Sequence, residues 1–234
     1  MFWRKTRDAI EKFQPMHQMV VFHRVLYTTQ DRTGWDAILH SMRGHDAIVK
    51  RSKWSLPPRT FGVVVPLVGV VLQDVPAAGA VAITADLRGP SLPEKTGPRH
   101  ELPVRRPVRS ATLWYEVDPW LRVRAALRDG STIDVSVVDR IRYRRVNKVN
   151  PRGKHKTKTK TKEVQLIRVT RALPKGVAGV RPTTRPPSWM RVKMRPGRRA
   201  QLTVTGRLDR IPVGEHQVHY VLSVLAETFR WTTP

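Results

Sequence analysis

Hydrophobic and polar residues change their rhythm about a quarter of the way along this chain. In residues 2–13, Phe2, Ala9, Ile10 and Phe13 fall near one helical face, with Arg4, Lys5, Arg7 and Lys12 elsewhere. That spacing predicts a short amphipathic helix ending before Pro15. Met19–Tyr27 is richer in β-branched and aromatic residues and fits either helix or strand. Thr33-Gly34-Trp35-Asp36 has the form of an N-cap with an acid three residues on, and Trp35, Ile38, Leu39, Met42 and Val49 follow at near-helical spacing. Pro57-Pro58 closes the section, so residues 1–58 read as a helical, basic N-terminal arm and residues 59–234 as a β-rich body.

Beyond the arm the period is two. Gly62–Gln73 and Ala80–Leu87 predict strands joined around Asp74–Gly79, since Pro66 and Gly69 argue against a helix. Residues 88–110 carry five prolines among charges and predict a long extended loop. Leu121–Leu127 and Thr132–Val138 alternate on either side of Asp129-Gly130, where glycine tolerates the positive φ of a tight hairpin turn. The second of these strands continues through Arg140–Arg145. After a break at Asn147–Gly153, the run Lys154–Lys162 and then Val164–Ala172 return alongside, giving a long basic hairpin whose tip extends past the body. Trp189–Met194, Gln201–Asp209 and His216–Phe229 predict three more strands, the last two joined by a turn at Pro212–Glu215, and residues 174–188 read as irregular. No long helical pattern separates consecutive strands. The fold class is therefore mainly β (α+β overall): about nine strands in an antiparallel β-sandwich or partly open barrel, with a short helical N-terminal arm.

Charge sharpens this picture. With 234 residues and 40% apolar content the chain can bury a real core, yet its formal net charge is +26. Arg140–Arg199 holds 21 of the 44 lysines and arginines and a single acid, Glu163, and so carries +20 of that total. So much of one sign repels itself in a compact fold, and the commonest neutraliser in a cell is a phosphate backbone. From Lys156 to Lys162 lysine alternates with threonine, so in an extended strand every lysine projects to one side. Same-side spacing of roughly 6.5–7 Å is close to that of phosphates on an extended nucleic-acid strand. The nucleic-acid-binding candidates are Arg140, Arg142, Arg144, Arg145, Lys148, Arg152, Lys154, Lys156, Lys158, Lys160, Lys162, Arg195, Arg198 and Arg199. The plainer reading of the same run is a mobile surface loop with no fixed partner.

Other chemistries find little support. Tyr143, Trp189 and Trp231 lie near cations and are candidates for stacking on splayed bases, although core packing is the favoured role for each. Trp114, Tyr115 and Trp120 sit in an apolar strand region and read as core. The absence of cysteine excludes disulfides, zinc ribbons and cysteine nucleophiles. His40, His45 and Asp46 do not share a helical face, and His216 and His219 would point to opposite faces of a strand, so neither pair suggests a metal site. No phosphate-cradling glycine motif occurs, Asp118, Asp129, Asp134 and Asp139 suit turn and capping roles, and no serine has an elbow context. These residues predict neither catalysis nor a cofactor. The apolar run from Phe61 is interrupted by Gln73 and Asp74, short of the ~20 residues a membrane-spanning helix needs. The N-terminus lacks the apolar stretch of a secretory signal, and its basic character is compatible with a cytoplasmic or organellar, including mitochondrial, setting.

In composition, mainly over residues 140–199, the chain resembles ribosomal proteins as a class. The resemblance implies a non-enzymatic RNA-binding structural component of a large ribonucleoprotein, with ribosomal RNA and neighbouring proteins as partners. Three other readings share the charge signature. One is a virion or DNA-packaging protein. Another is a peripheral membrane protein with Phe2, Trp3 and Phe13 as an insertable edge, and the last is an interaction module whose hairpin meets an acidic protein.

Overall fold

The computed structural model describes residues 2–50, 52–149 and 153–232 and centres on one open eight-stranded sheet. Helix α1 (Phe2–Ile10) leads to α2 (Pro15–His23). The Gln14 side chain accepts from the Met16 and His17 amides at 2.6 and 3.2 Å, and Pro15 occupies the first turn, where no backbone donor is missed. Arg24, with φ of 59°, ends that helix and turns the chain into β1 (Val25–Gln30). Met19–Tyr27 thus divides into a helix end and a strand start, and the mainly helical arm also supplies one edge of the sheet. Helix α3 (Arg32–Arg43) starts earlier than expected, because Asp31 rather than Thr33 is its cap and accepts from the Gly34 amide at 2.8 Å. A short helix α4 (His45–Ile48) follows.

Gly62–Gln73 is helical, contrary to the strand expected there. A π-helical turn (Thr60–Val64) runs directly into α5 (Val65–Asp74). Pro66 lies just where the π-helical turn passes into α5, and Gly69 has open space around it. Thr60, Val63, Val64, Leu67, Val68, Val71 and Leu72 are buried, a stripe with helical period that the density of valines conceals.

The sheet continues with β2 (Val81–Asp86), a two-residue β3 (His100–Glu101), β4 (Val108–Ala126), β5 (Thr132–Val149), β6 (His155–Ala172), β7 (Met190–Arg195) and β8 (Gln201–Leu208). Its order is β1-β2-β4-β5-β6-β8-β7, antiparallel throughout, with β3 beside β4. The expected hairpin turn at Asp129-Gly130 joins β4 to β5, with Gly130 at φ of 77°. His216–Phe229, expected as a strand, lies within α6 (Glu215–Arg230). Gln217, Val221, Val224, Leu225, Glu227 and Thr228 are its buried residues, and all but Glu227 recur along one face at helical spacing.

The mainly β, antiparallel α+β class stands. Among the described residues there is one sheet and no second sheet to complete a sandwich. Helices supply the other layer: α6 packs on β6 and β8, α5 on β2, and α2 on β1. Val123, Val135, Val137, Ile167, Val169 and Val204 face them, buried. Trp35 ties α3 to the sheet by donating to the Val81 carbonyl at 3.0 Å.

Asp118 and Asp139 are not strand-end residues but lie opposite each other on β4 and β5, fully buried. Arg59 pairs with both, at 3.6 Å from Asp118, while its guanidinium lies 4.4 Å over the Trp120 ring. Lys95 reaches Asp118 at 2.7 Å and Asp86 at 2.9 Å, and Gln165 donates to Asp139 at 2.7 Å. Two buried carboxylates need two cations, and these come from the segments flanking the strands. Asp134 and Asp129 also do more than cap, since they pair with Arg122 and Arg171.

Candidate nucleic-acid interface

The long strands carry buried residues on the helix-facing side and leave the other side to solvent. On β5 this outer face bears Arg140, Arg142, Arg144 and Lys148, all exposed. On β6 it bears Lys156, Lys158, Lys160, Lys162 and Arg168. Residue register puts them together: Arg142 lies opposite Lys162, Arg144 opposite Lys160, and Lys148 opposite Lys156. The lysine run is a strand, not a loop, and its cations form two adjacent files.

Cross-strand neighbours of like charge oppose pairing, each by roughly 0.2–1 kcal/mol. None of these cations has a carboxylate partner among the described residues. From β4 to β7 the outer face holds one acid among them, Asp134, which accepts from Arg122 at 2.9 Å. That hydrogen bond raises the Arg122 pKa, so Asp134 is already committed.

The opposite side braces the hairpin. Tyr143 stacks on Trp114 with centroids 5.1 Å apart and rings 9° from parallel, and its hydroxyl donates to Glu116 at 3.1 Å. Arg99 lies 5.1 Å over the Trp114 ring. Farther out, Thr157 donates to Asn147 and Asn147 to Ser110, both at 2.8 Å. These interactions hold β4, β5 and β6 together beyond Gln165, the point where β8 stops pairing with β6.

The structure separates the other sequence candidates from this patch. Arg145 falls on the braced side with Tyr143, away from Arg142 and Arg144. Lys154 precedes β6 in the turn, and Arg152 lies outside the described residues. Arg195 is on the outer face of β7, with Arg198 and Arg199 in the β7–β8 turn. That turn lies beside Ala172, at the far end of β6 and roughly 50 Å along the strand from Lys156. The stretch 140–199 is therefore not one extension but two basic regions at opposite ends of a face.

Several residues that sequence reasoning passed over join them. Arg122 and Arg124 on β4, Arg207 on β8, and Arg191 and Lys193 on β7 are exposed on the same face. Each alternates with a buried or half-buried residue, as in Leu121-Arg122-Val123-Arg124-Ala125, so period two plus strand pairing was the available signal. The packed role favoured for the aromatics holds for most of them, Trp120 included. Trp231 is buried, Trp189 packs edge-on against Tyr220 at 5.3 Å, and Tyr143 faces Trp114, whereas Tyr115, read as core, is exposed on the cationic face. Tyr27 on β1 is exposed there too.

Other candidate chemistry finds different partners. His45 bonds His17 at 3.0 Å in the core instead of joining His40, and His216 and His219 sit one turn apart on α6, exposed. Among the described residues no three histidines or carboxylates are grouped to hold a metal, and no helix is long and apolar enough to cross a membrane. Phe13 is buried against His17 at 4.2 Å, and the side chains of Phe2 and Trp3 lie outside the described residues. Comparison with protein-family models, curated proteins and solved structures finds no match.

Proposed function

We propose that this chain is a non-enzymatic RNA-binding structural component of a large ribonucleoprotein assembly, of ribosomal type, working inside the cell. It applies the outer face of its sheet to RNA. One observation carries this reading: cations placed opposite cations on β5 and β6, exposed and without carboxylates. Lysine on an unpaired sheet edge also discourages edge-to-edge aggregation, and β6 is such an edge from His155 to Val164. That role accounts for lysines on β6 but not for Arg140, Arg142 and Arg144 on β5, which is paired on both sides. A phosphate backbone lying along the two files meets a charge at each same-side step, with arginines able to grip phosphate oxygens in pairs. Neutralised from outside, the face no longer opposes the strand pairing beneath it.

The test is the salt dependence of binding to a single-stranded RNA by the full chain and by a variant with Lys156, Lys158, Lys160 and Lys162 changed to Gln. The slope of log affinity against log salt is expected to fall by about 0.7 for every phosphate that the variant no longer neutralises. An unchanged slope removes these lysines from the interface. Duplex DNA and anionic vesicles serve as competitors, and preferential binding to either would transfer the function to DNA packaging or to a membrane surface.

A further inference from the structure

The cationic face is not uniformly polar. At its middle lies a shallow depression of about 450 Å³, lined by Tyr115 and Val117 of β4, Arg140 and Arg142 of β5, Lys162, Val164 and Leu166 of β6, and Arg207 of β8. Its size falls within the roughly 300–1,000 Å³ of small-ligand sites. Tyr115 is 41% exposed and Val117 37% exposed, so the floor offers apolar surface to solvent in the most basic part of the molecule.

Register fixes how these groups stand. Tyr115 is opposite Arg142, which is opposite Lys162; Val117 is opposite Arg140, which is opposite Val164; and Leu166 is opposite Arg207. Tyr115 and Lys162 are therefore two strands apart, roughly 10 Å. The backbone at Tyr115 is held from both edges, by β5 and by the Gly97 amide, which donates to its carbonyl at 2.8 Å. The ring stands on a rigid support.

Tyr115 and Val117 stand two residues apart on one strand face, so they form a joined apolar patch rather than one exposed side chain, and such a patch among cations marks a contact surface. Phosphate alone gives it nothing to do. An occupant must therefore carry negative charge for Arg140, Arg142, Lys162 and Arg207 and also a flat apolar face for Tyr115. An unpaired nucleotide has both, whereas the bases of a duplex are closed to a flat sheet. We infer that this depression is a base-stacking site for an unpaired nucleotide of RNA, with Tyr115 as the platform and the four cations holding the flanking phosphates. The inference rests on the reading of the face as an RNA-binding surface and adds to it a preference for single-stranded over duplex segments.

Binding of a short oligouridine and of an RNA duplex of equal length is measured for the full chain, Tyr115→Ala and Tyr115→Phe. Stacking on an aromatic side chain is worth about 1–3 kcal/mol per base, so Tyr115→Ala should weaken single-strand binding roughly 5- to 150-fold. Its salt slope should not change, its duplex affinity should hold, and Tyr115→Phe should stay near the parent. Photocrosslinking of 5-iodouridine RNA to the unmodified protein should label the peptide containing Tyr115, a result that does not depend on any variant folding. Full single-strand affinity of Tyr115→Ala, with its salt slope intact, would overturn the stacking site while leaving the electrostatic interface standing. Crosslinks confined to other peptides would overturn it also, and displacement by single-stranded DNA as readily as by RNA would overturn its assignment to RNA. Failure of the parent protein to bind RNA would overturn both readings.

Discussion

His17 sits at the centre of a buried cluster in which its Nε2 meets His45 Nδ1 at 3.0 Å, its Nδ1 meets the Ser41 hydroxyl at 2.9 Å, and Phe13 stacks on its ring. Burial first, and the neighbouring His45 second, lower its pKa from the ordinary 6.5 to about 4. His45 is lowered as well, chiefly by burial, with Asp46 opposing and Arg24 assisting. Between pH 4 and 6.5 the unfolded chain therefore binds more protons at this position than the folded one. The contribution of His17 to stability is complete above 6.5 and is lost as the pH falls toward 4. Asp118 titrates in the opposite sense, since burial raises its pKa despite Lys95 and Arg59, so the total pH profile mixes the two. The comparison that isolates His17 is the parent against His17→Asn. From pH 7.5 to pH 5 the parent should lose about 2 kcal/mol more than the variant in urea titrations. Parallel profiles would show that the pair is already open to water or charged.

At the level of elements, α6 meets the sheet at Gly206 of β8. A Cβ there would stand 2.7 Å from the Trp189 ring and 2.8 Å from the Val224 side chain, closer than packed atoms approach. Gly206→Ala should cost roughly 1–3 kcal/mol, read as a lower urea midpoint at unchanged slope. An unaltered midpoint would mean that α6 is free to lift off the strand. The same helix shows what the sequence makes legible. Hairpin β4–β5 and the return of β6 follow from alternation and from Asp129-Gly130, because a strand with one wet face writes its period plainly. The helical stretch 60–74 and α6 do not, since Val63, Val64, Val68, Val71, Val221 and Val224 are β-favouring residues held helical by burial against the sheet. Tertiary packing overrides propensity at those positions. The candidate site divides in the same way. Its lysines and the Arg140–Arg144 file are local in sequence and were found, whereas Arg122, Arg207 and Tyr115 join only through strand order, which alternation alone does not contain.

For the whole molecule the decisive fact is the separation of core and charge between two faces. One side of the sheet carries the helices and the apolar core, and the other gathers charge that the core does not need. The cationic face carries a stability penalty when nothing neutralises it, because same-side cations about 7 Å apart along a strand and about 5 Å apart across the ladder lie within the ~10 Å Debye length at 0.1 M salt. Changing Lys156, Lys158, Lys160 and Lys162 to Gln removes the opposed pairs with Arg142, Arg144 and Lys148 without touching the core. The variant should therefore be more stable than the parent at low salt, by about 1–2 kcal/mol, or a few degrees in Tm. The advantage should shrink near 1 M salt, where the Debye length is about 3 Å. Single-stranded RNA should reverse the order, because ligand stabilises the form that binds it better. Thermal melts across salt concentrations, with and without RNA, examine all three terms together. A variant less stable than the parent at low salt would show that the lysines serve the strand itself, and the electrostatic case for an external partner would then rest on the arginines of β5 alone.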